Sequence, residues 1–185
     1  MTKLFQVHTK ESATAAGAEA LARLQSAVGV IPNLAATMAE SPALLNGFLD
    51  LRERYAQTGF TGAEIQILSL VAAYENRCGW CVAFHTAMGL KEGVSREALD
   101  RLRAGNSPTE KKAGALADFA RLIIQKRGHV GDAGLRTFLD AGYTKKQALD
   151  VVLGMGFSLL ANYAAHLTHP ELDAFLEPHA FQFNT

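Results

Sequence analysis

The chain's two cysteines stand together in Cys78-Gly79-Trp80-Cys81, and His85 follows four residues beyond the second. Sulfurs three residues apart on a helical turn are close enough to bond with little backbone movement. A histidine four residues on lies over the face occupied by Cys81, where it can take or give a proton. Two thiols and a base are the parts of a dithiol–disulfide couple. A free thiol ionises only near pH ~8.5, so its surroundings must lower that value. Asn76 reads as a helix cap, which places Cys78 in the first turn, where unpaired amides and the helix dipole favour a thiolate. Arg77 adds positive charge, while Cys81, one turn deeper, depends on His85.

Other chemistry is open to the same residues. Two adjacent cysteines can simply be buried apolar side chains. Cys78, Cys81 and His85, joined by His166 or His169, have the Cys₂His₂ composition that zinc accepts, although two ligands come from distant segments. His166 and His169 otherwise read as favourable groups at a helix C-terminus. Trp80 reads as core filling or as the wall of an apolar pocket. Glu64 reads as the last residue of a capping box. Glu75, just before the cysteines, is read either as an exposed loop acid or as a carboxylate that approaches His85 and the thiols.

Helices must position these groups, because alanine and leucine abound and apolar/polar alternation is scarce. Ser41-Pro42 and Ser107-Pro108 place a cap before proline at the first helical position. Thr61-Gly62-Ala63-Glu64, Ser107-Pro108-Thr109-Glu110, Thr144-Lys145-Lys146-Gln147 and Thr168-His169-Pro170-Glu171 fit the capping box, and Gly29, Gly59, Gly93, Gly105, Gly128 and Gly142 mark exits. The pattern predicts helices near 12–28, 33–40, 42–57, 62–74, 77–91, 95–104, 108–127, 132–141, 145–167 and 171–176. The expected fold is all-α, one domain over residues 1–185, with the reactive motif in 64–93.

Within it, Gly59-Phe60-Thr61-Gly62-Ala63-Glu64 echoes Gly142-Tyr143-Thr144-Lys145-Lys146-Gln147, and Ala83-Phe84-His85-Thr86 echoes Ala164-Ala165-His166-Leu167. A degenerate second copy is therefore expected over about 142–171. In it Asn162 takes the place of Cys81, and one helix runs through where the first copy breaks near Glu75-Asn76-Arg77.

At 185 residues the chain is long enough for a substantial core. Charges balance at 18 of each sign, so nothing draws the surface towards nucleic acid or anionic lipid. The stretch Met1 to His8 lacks the apolar run of a secretory signal, and Val151 to Ala161 is too short to span a bilayer. A cytoplasmic setting follows as the expectation, and there a lone cysteine pair points to catalysis or metal binding.

The apolar helix Ile65 to Tyr74, the run Asn76-Arg77-Cys78-Gly79-Trp80-Cys81-Val82-Ala83-Phe84-His85, and then Met88-Gly89 resemble the carboxymuconolactone decarboxylase superfamily and its AhpD-like alkylhydroperoxidases. The stretch Asn162-Tyr163 to Leu172-Asp173 is similar to the ending of peroxidase-related members. The resemblance covers roughly 32–175. It implies an AhpD-like helical fold, homo-oligomers (trimers or hexamers) and a role in antioxidant defence.

Carried over by position, Cys81 becomes the peroxidatic cysteine, Cys78 the resolving one and His85 the relay. The family's relay glutamate falls on Gln66, which cannot titrate, and a histidine usual before the second cysteine is Trp80 here. Glu75 or Glu64 is then left to stand in for the glutamate. The implied activity is reduction of hydrogen peroxide or an organic hydroperoxide, with no metal or cofactor, and with a dithiol, lipoyl-type or thioredoxin-like reductant restoring the pair. A zinc-binding or redox-sensing helical oligomer without turnover, or lactone decarboxylase chemistry, are the alternatives.

Overall fold

A computed structural model describes residues 4–184. The first three residues of the N-terminal stretch read above, and Thr185, lie outside them. The described residues form α1 (Ala15–Val28), α2 (Asn33–Met38), α3 (Pro42–Ala56), α4 (Gly62–Glu75), α5 (Gly79–Lys91), α6 (Arg96–Arg103), α7 (Lys111–Gln125), α8 (Gly131–Asp140) and α9 (Lys145–Thr168). A 3₁₀ helix, Ala174–His179, follows, and no strand occurs among the described residues. The fold is all-helical, as expected.

The starts of these helices are chemically explicit. Thr61 and Thr144 each accept from the backbone N–H three residues on, and Glu64 and Gln147 reach back to the cap's own N–H, so both capping boxes form. Ser41 caps α3 ahead of Pro42. Two expected boxes do not form. The Ser107 hydroxyl turns to Asp118 and Arg121 instead, so α7 starts later, capped by Glu110, whose carboxylate accepts from Lys112 N and Ala113 N. Thr168 remains inside α9, where its hydroxyl donates to Ala164 O, and the last element starts after Asp173 rather than at 171.

The core is organised around α4, buried without interruption from Ile67 to Ala73. A helix apolar on every side belongs in the middle of a bundle, and α4 packs against α5, α6, α7 and α9. The helix around the apolar run 151–161 is 24 residues long, longer than that run suggested, and has the length and composition to cross a membrane. More than half of that window is nevertheless buried inside the protein, as in a core helix. Gly154 lets α9 approach α3 closely: a Cβ there would meet the Tyr55 ring at 2.6 Å. Tyr55 in turn packs on Phe157, and Phe157 stacks on Phe48.

Candidate active site

The cysteines occupy the seam between α4 and α5, and the seam is a Schellman closure. Arg77 is left-handed (φ 55°), its N–H donates to Tyr74 O at 2.9 Å, and Cys78 N donates to Ala73 O at 2.8 Å. The expectation that Asn76 caps the cysteine helix is corrected here: Asn76 ends α4, and Cys78 is the N-cap of α5. The Cys78 carbonyl accepts the first helical bond from Val82 N at 2.9 Å, and its sulfur accepts from Cys81 N at 3.3 Å. Cys78 therefore closes one helix with its N–H and opens the next with its side chain.

Cys78 and Cys81 are joined as a disulfide, with Cα atoms 5.3 Å apart, within the ordinary range for such a bridge. Both are buried, yet each sulfur's residue lines a different cavity. Cys81 belongs to an apolar cavity of about 100 Å³, walled by Phe84, His85, Phe48, Phe157 and Met38, with Arg52 and Ser158 as its polar members besides His85. Cys78 belongs to a polar cavity of about 230 Å³, with Arg77, His166, His169 and Pro170. Trp80 lines both. Its ring stacks on Phe84, centroids 5.3 Å apart and planes 12° from parallel.

His85 is half-buried on the apolar side, and Gln66 on α4 holds it, with Gln66 Oε1 2.9 Å from His85 Nδ1. An amide oxygen accepts, so Nδ1 carries the proton and Nε2 keeps its lone pair. Burial pushes the His85 pKa down to about 4, so in the disulfide form the ring is neutral at neutral pH.

Glu75 and Glu64 do not reach the site. The Glu75 carboxylate pairs with Arg121 Nε at 3.0 Å and accepts from Gln125 at 3.1 Å, which turns it to α7 and away from the thiols. Glu64 completes its capping box and accepts from the Tyr143 hydroxyl at 3.0 Å. Burial raises its pKa, but the Thr61 amide, Tyr143 and Lys112 outweigh this and leave it lowered. The zinc set does not assemble either. His85 and His166 line different cavities, and no three His, Cys, Asp or Glu side chains converge on a metal position among the described residues.

Several contributors were not foreseen. Asn76 Nδ2 donates to Asn162 Oδ1 at 2.9 Å, and His166 Nε2 donates to Asn76 O at 2.7 Å, so α9 grips the seam from two positions. Asp173 accepts from Asn33 N at 3.0 Å and supplies the cap that Pro32, at the start of α2, cannot. Burial raises the Asp173 pKa, partly offset by that amide and by the nearby Trp80 indole, which closes no hydrogen bond of good geometry. Across the start of α5 lies the C-terminal tail. A Cβ at Gly79 would sit 2.7 Å from Phe181 O, so only glycine fits. Arg77 lies over the Phe183 ring at 4.8 Å and donates to Asn184 O at 3.2 Å.

No curated protein matches the chain. The fold is similar to an uncharacterized peroxidase-related protein with an alkylhydroperoxidase AhpD core from Ralstonia eutropha JMP134 (TM-score 0.81, 19% identity, 93% of each chain). It is similar also to an uncharacterized peroxidase-related protein from Silicibacter sp. TM1040 (TM-score 0.77, 17% identity, 100% of this chain and 97% of that one). A third similar structure is the debrominase Bmp8, as a cysteine-to-alanine variant in complex with 2,3,4-tribromopyrrole (TM-score 0.79, 13% identity, 97% of this chain and 96% of that one). Residues 42–125, which hold the cysteine pair, His85 and Gln66, match the model of the carboxymuconolactone decarboxylase family. Residues 42–125 are therefore similar to the carboxymuconolactone decarboxylase family, and the chain as a whole has an AhpD-like fold.

Proposed function

We propose that the protein is a thiol-dependent peroxide reductase. The observation that carries this reading is that Cys81 and His85 share the wall of one apolar cavity, while Cys78 lies within bonding reach of Cys81. In the reduced form His85 Nε2 takes the Cys81 proton. The thiolate attacks one peroxide oxygen, the O–O bond breaks, and the alkoxide leaves with a proton as alcohol. Cys81 is then a sulfenic acid. Cys78 displaces its oxygen as water and closes the disulfide present in this structure. Reduction by external thiols, supplied by one dithiol or by two monothiols, restores both cysteines.

His85 can act here although its pKa is low in the disulfide form. That value reflects burial alone, whereas a thiolate one turn away favours the protonated ring. Gln66 holds the ring so that Nε2 remains the basic nitrogen. The apolar walls favour an organic hydroperoxide over hydrogen peroxide. Self-association belongs to the same reading and is supported by α9, which exposes Leu149, Val152, Tyr163 and Leu167.

The test is to treat reduced protein with one equivalent of cumene hydroperoxide and read the cysteines by mass spectrometry. Loss of two hydrogens confined to the Cys78–Cys81 peptide, with release of one equivalent of alcohol, is the expected result. Unchanged thiols would end the reading. A second reading, thiol-dependent dehalogenation of a flat aromatic halide, is favoured by the aromatic lining from Trp80, Phe84, Phe48 and Phe157. Release of bromide from a bromopyrrole by reduced protein that leaves hydroperoxide untouched would select it.

A further inference from the structure

The polar cavity at Cys78 takes no part in peroxide reduction, yet it reaches the other half of the same bond. Its lining combines the Arg77 guanidinium, cationic at any working pH, with the imidazoles of His166 and His169, and includes no carboxylate. Trp80 lines both spaces, and the disulfide joins a residue of one lining to a residue of the other.

We infer that this cavity is the reductant's site, and that it takes a small thiol carrying an additional anionic group. The inference rests on the disulfide being the oxidised state of the proposed cycle. A charged thiolate is penalised in the apolar cavity, where most of the lining is hydrocarbon and His85 is neutral in the disulfide form, leaving Arg52 as the charged residue. On the polar side it meets the Arg77 guanidinium. Approach from there brings the thiolate onto Cys78. A new S–S bond forms between reductant and Cys78, the Cys78–Cys81 bond breaks, and its electron pair leaves on Cys81. Cys81 is thereby released as a thiolate beside His85, ready for the next peroxide. A second thiol attacks the reductant's sulfur in the mixed disulfide, forms the reductant's own disulfide, and releases Cys78 as a thiolate at the α5 N-terminus. Two thiols are oxidised, one disulfide is reduced, and the two thiol protons end on the cysteines or their bases.

The experiment uses no peroxide, so it stands or falls apart from the peroxidase reading. The oxidised protein is mixed with 2-mercaptoethanesulfonate or with cysteamine, and each rate is divided by that thiol's rate on a free reference disulfide. The anionic thiol should be favoured by about tenfold. Arg77→Asn, which tolerates the left-handed backbone, should reduce that preference at least threefold. His169→Asn, likewise compatible with its left-handed position, serves where Arg77→Asn does not fold. For location, reduced Cys81→Ser and Cys78→Ser proteins are each given the disulfide of mercaptoethanesulfonate. The adduct should form on Cys78 about tenfold faster than on Cys81. Equal rates for the two thiols, a preference for cysteamine, or faster labelling of Cys81 would each overturn the assignment.

Discussion

Gln66 Oε1 accepts from His85 Nδ1 at 2.9 Å, joining α4 to α5 one turn beyond the disulfide. The ring is thus fixed in one tautomer by a group that cannot titrate. Its folded pKa of about 4 lies below the ordinary 6.5, so between these values the unfolded chain binds a proton that the native one refuses. Stability from this residue is full above about pH 6.5 and declines as the pH falls to about 4, by at most on the order of 3 kcal/mol. Denaturant unfolding of the oxidised protein at pH 7, 5.5 and 4 should show the decline, and His85→Asn should show a shallower one.

Replacing the amide by an acid reverses this electrostatic setting. Gln66→Glu places a carboxylate on Nδ1–H, which favours the imidazolium. The His85 pKa should rise by about one unit or more, read from the ring's NMR titration in the oxidised protein. No upward movement would mean that the 66–85 contact is absent in solution.

The two cysteines should fail differently. Cys81→Ser removes the attacking sulfur and should leave no turnover of cumene hydroperoxide above background. Cys78→Ser should perform one attack and stop at Cys81 sulfenate, detectable as a single dimedone adduct. Equal residual turnover in both variants would contradict the division of roles.

Glu75 should matter to stability and not to chemistry. It and Arg121 are both mostly buried and pair at 3.0 Å, so Glu75→Gln leaves the guanidinium undercompensated. A loss of about 1–3 kcal/mol is expected, with hydroperoxide kcat/KM changed less than about threefold, or roughly 0.7 kcal/mol in barrier. A much larger fall in kcat/KM would return Glu75 to the proton path.

Two glycines in α9 should respond with opposite signs. Gly156→Ala meets open space and should gain up to about 1 kcal/mol from helix propensity. Gly154→Ala drives its methyl into the buried Tyr55 ring. An overpacking cost of about 1–3 kcal/mol outweighs the similar propensity gain, and the melting temperature should fall. Because Tyr55 packs on Phe157, the apolar cavity should also tighten, seen as a higher KM for bulky hydroperoxides.

Much of this arrangement was legible because helix signals are local. Thr61–Glu64 and Thr144–Gln147 are complete within one turn, and both formed as read. Where a distant partner intervened, the reading failed. Ser107 sits in a proper box, but Asp118 and Arg121 claim its hydroxyl. Asn76 reads as a start because the left-handed residue that ends α4 is Arg77, where glycine is usual. Glu75 reads as free because Arg121 and Gln125, its partners, lie on another helix. The cysteine–histidine spacing was readable without a fold. The two cavities were not, since residues of α1, α2, α3 and α9 close around one of them and the end of α9 closes the other, with Trp80 in both linings.

The placement of Cys78 at once as the closing donor of α4 and the cap of α5 leaves the chain no slack at that junction. The sulfur that bonds to Cys81 is also the one that accepts from the Cys81 amide, so any change at that bond is a change at the start of α5. One atom serves both the bridge and the backbone, and what happens to the bridge is felt where two helices are held together.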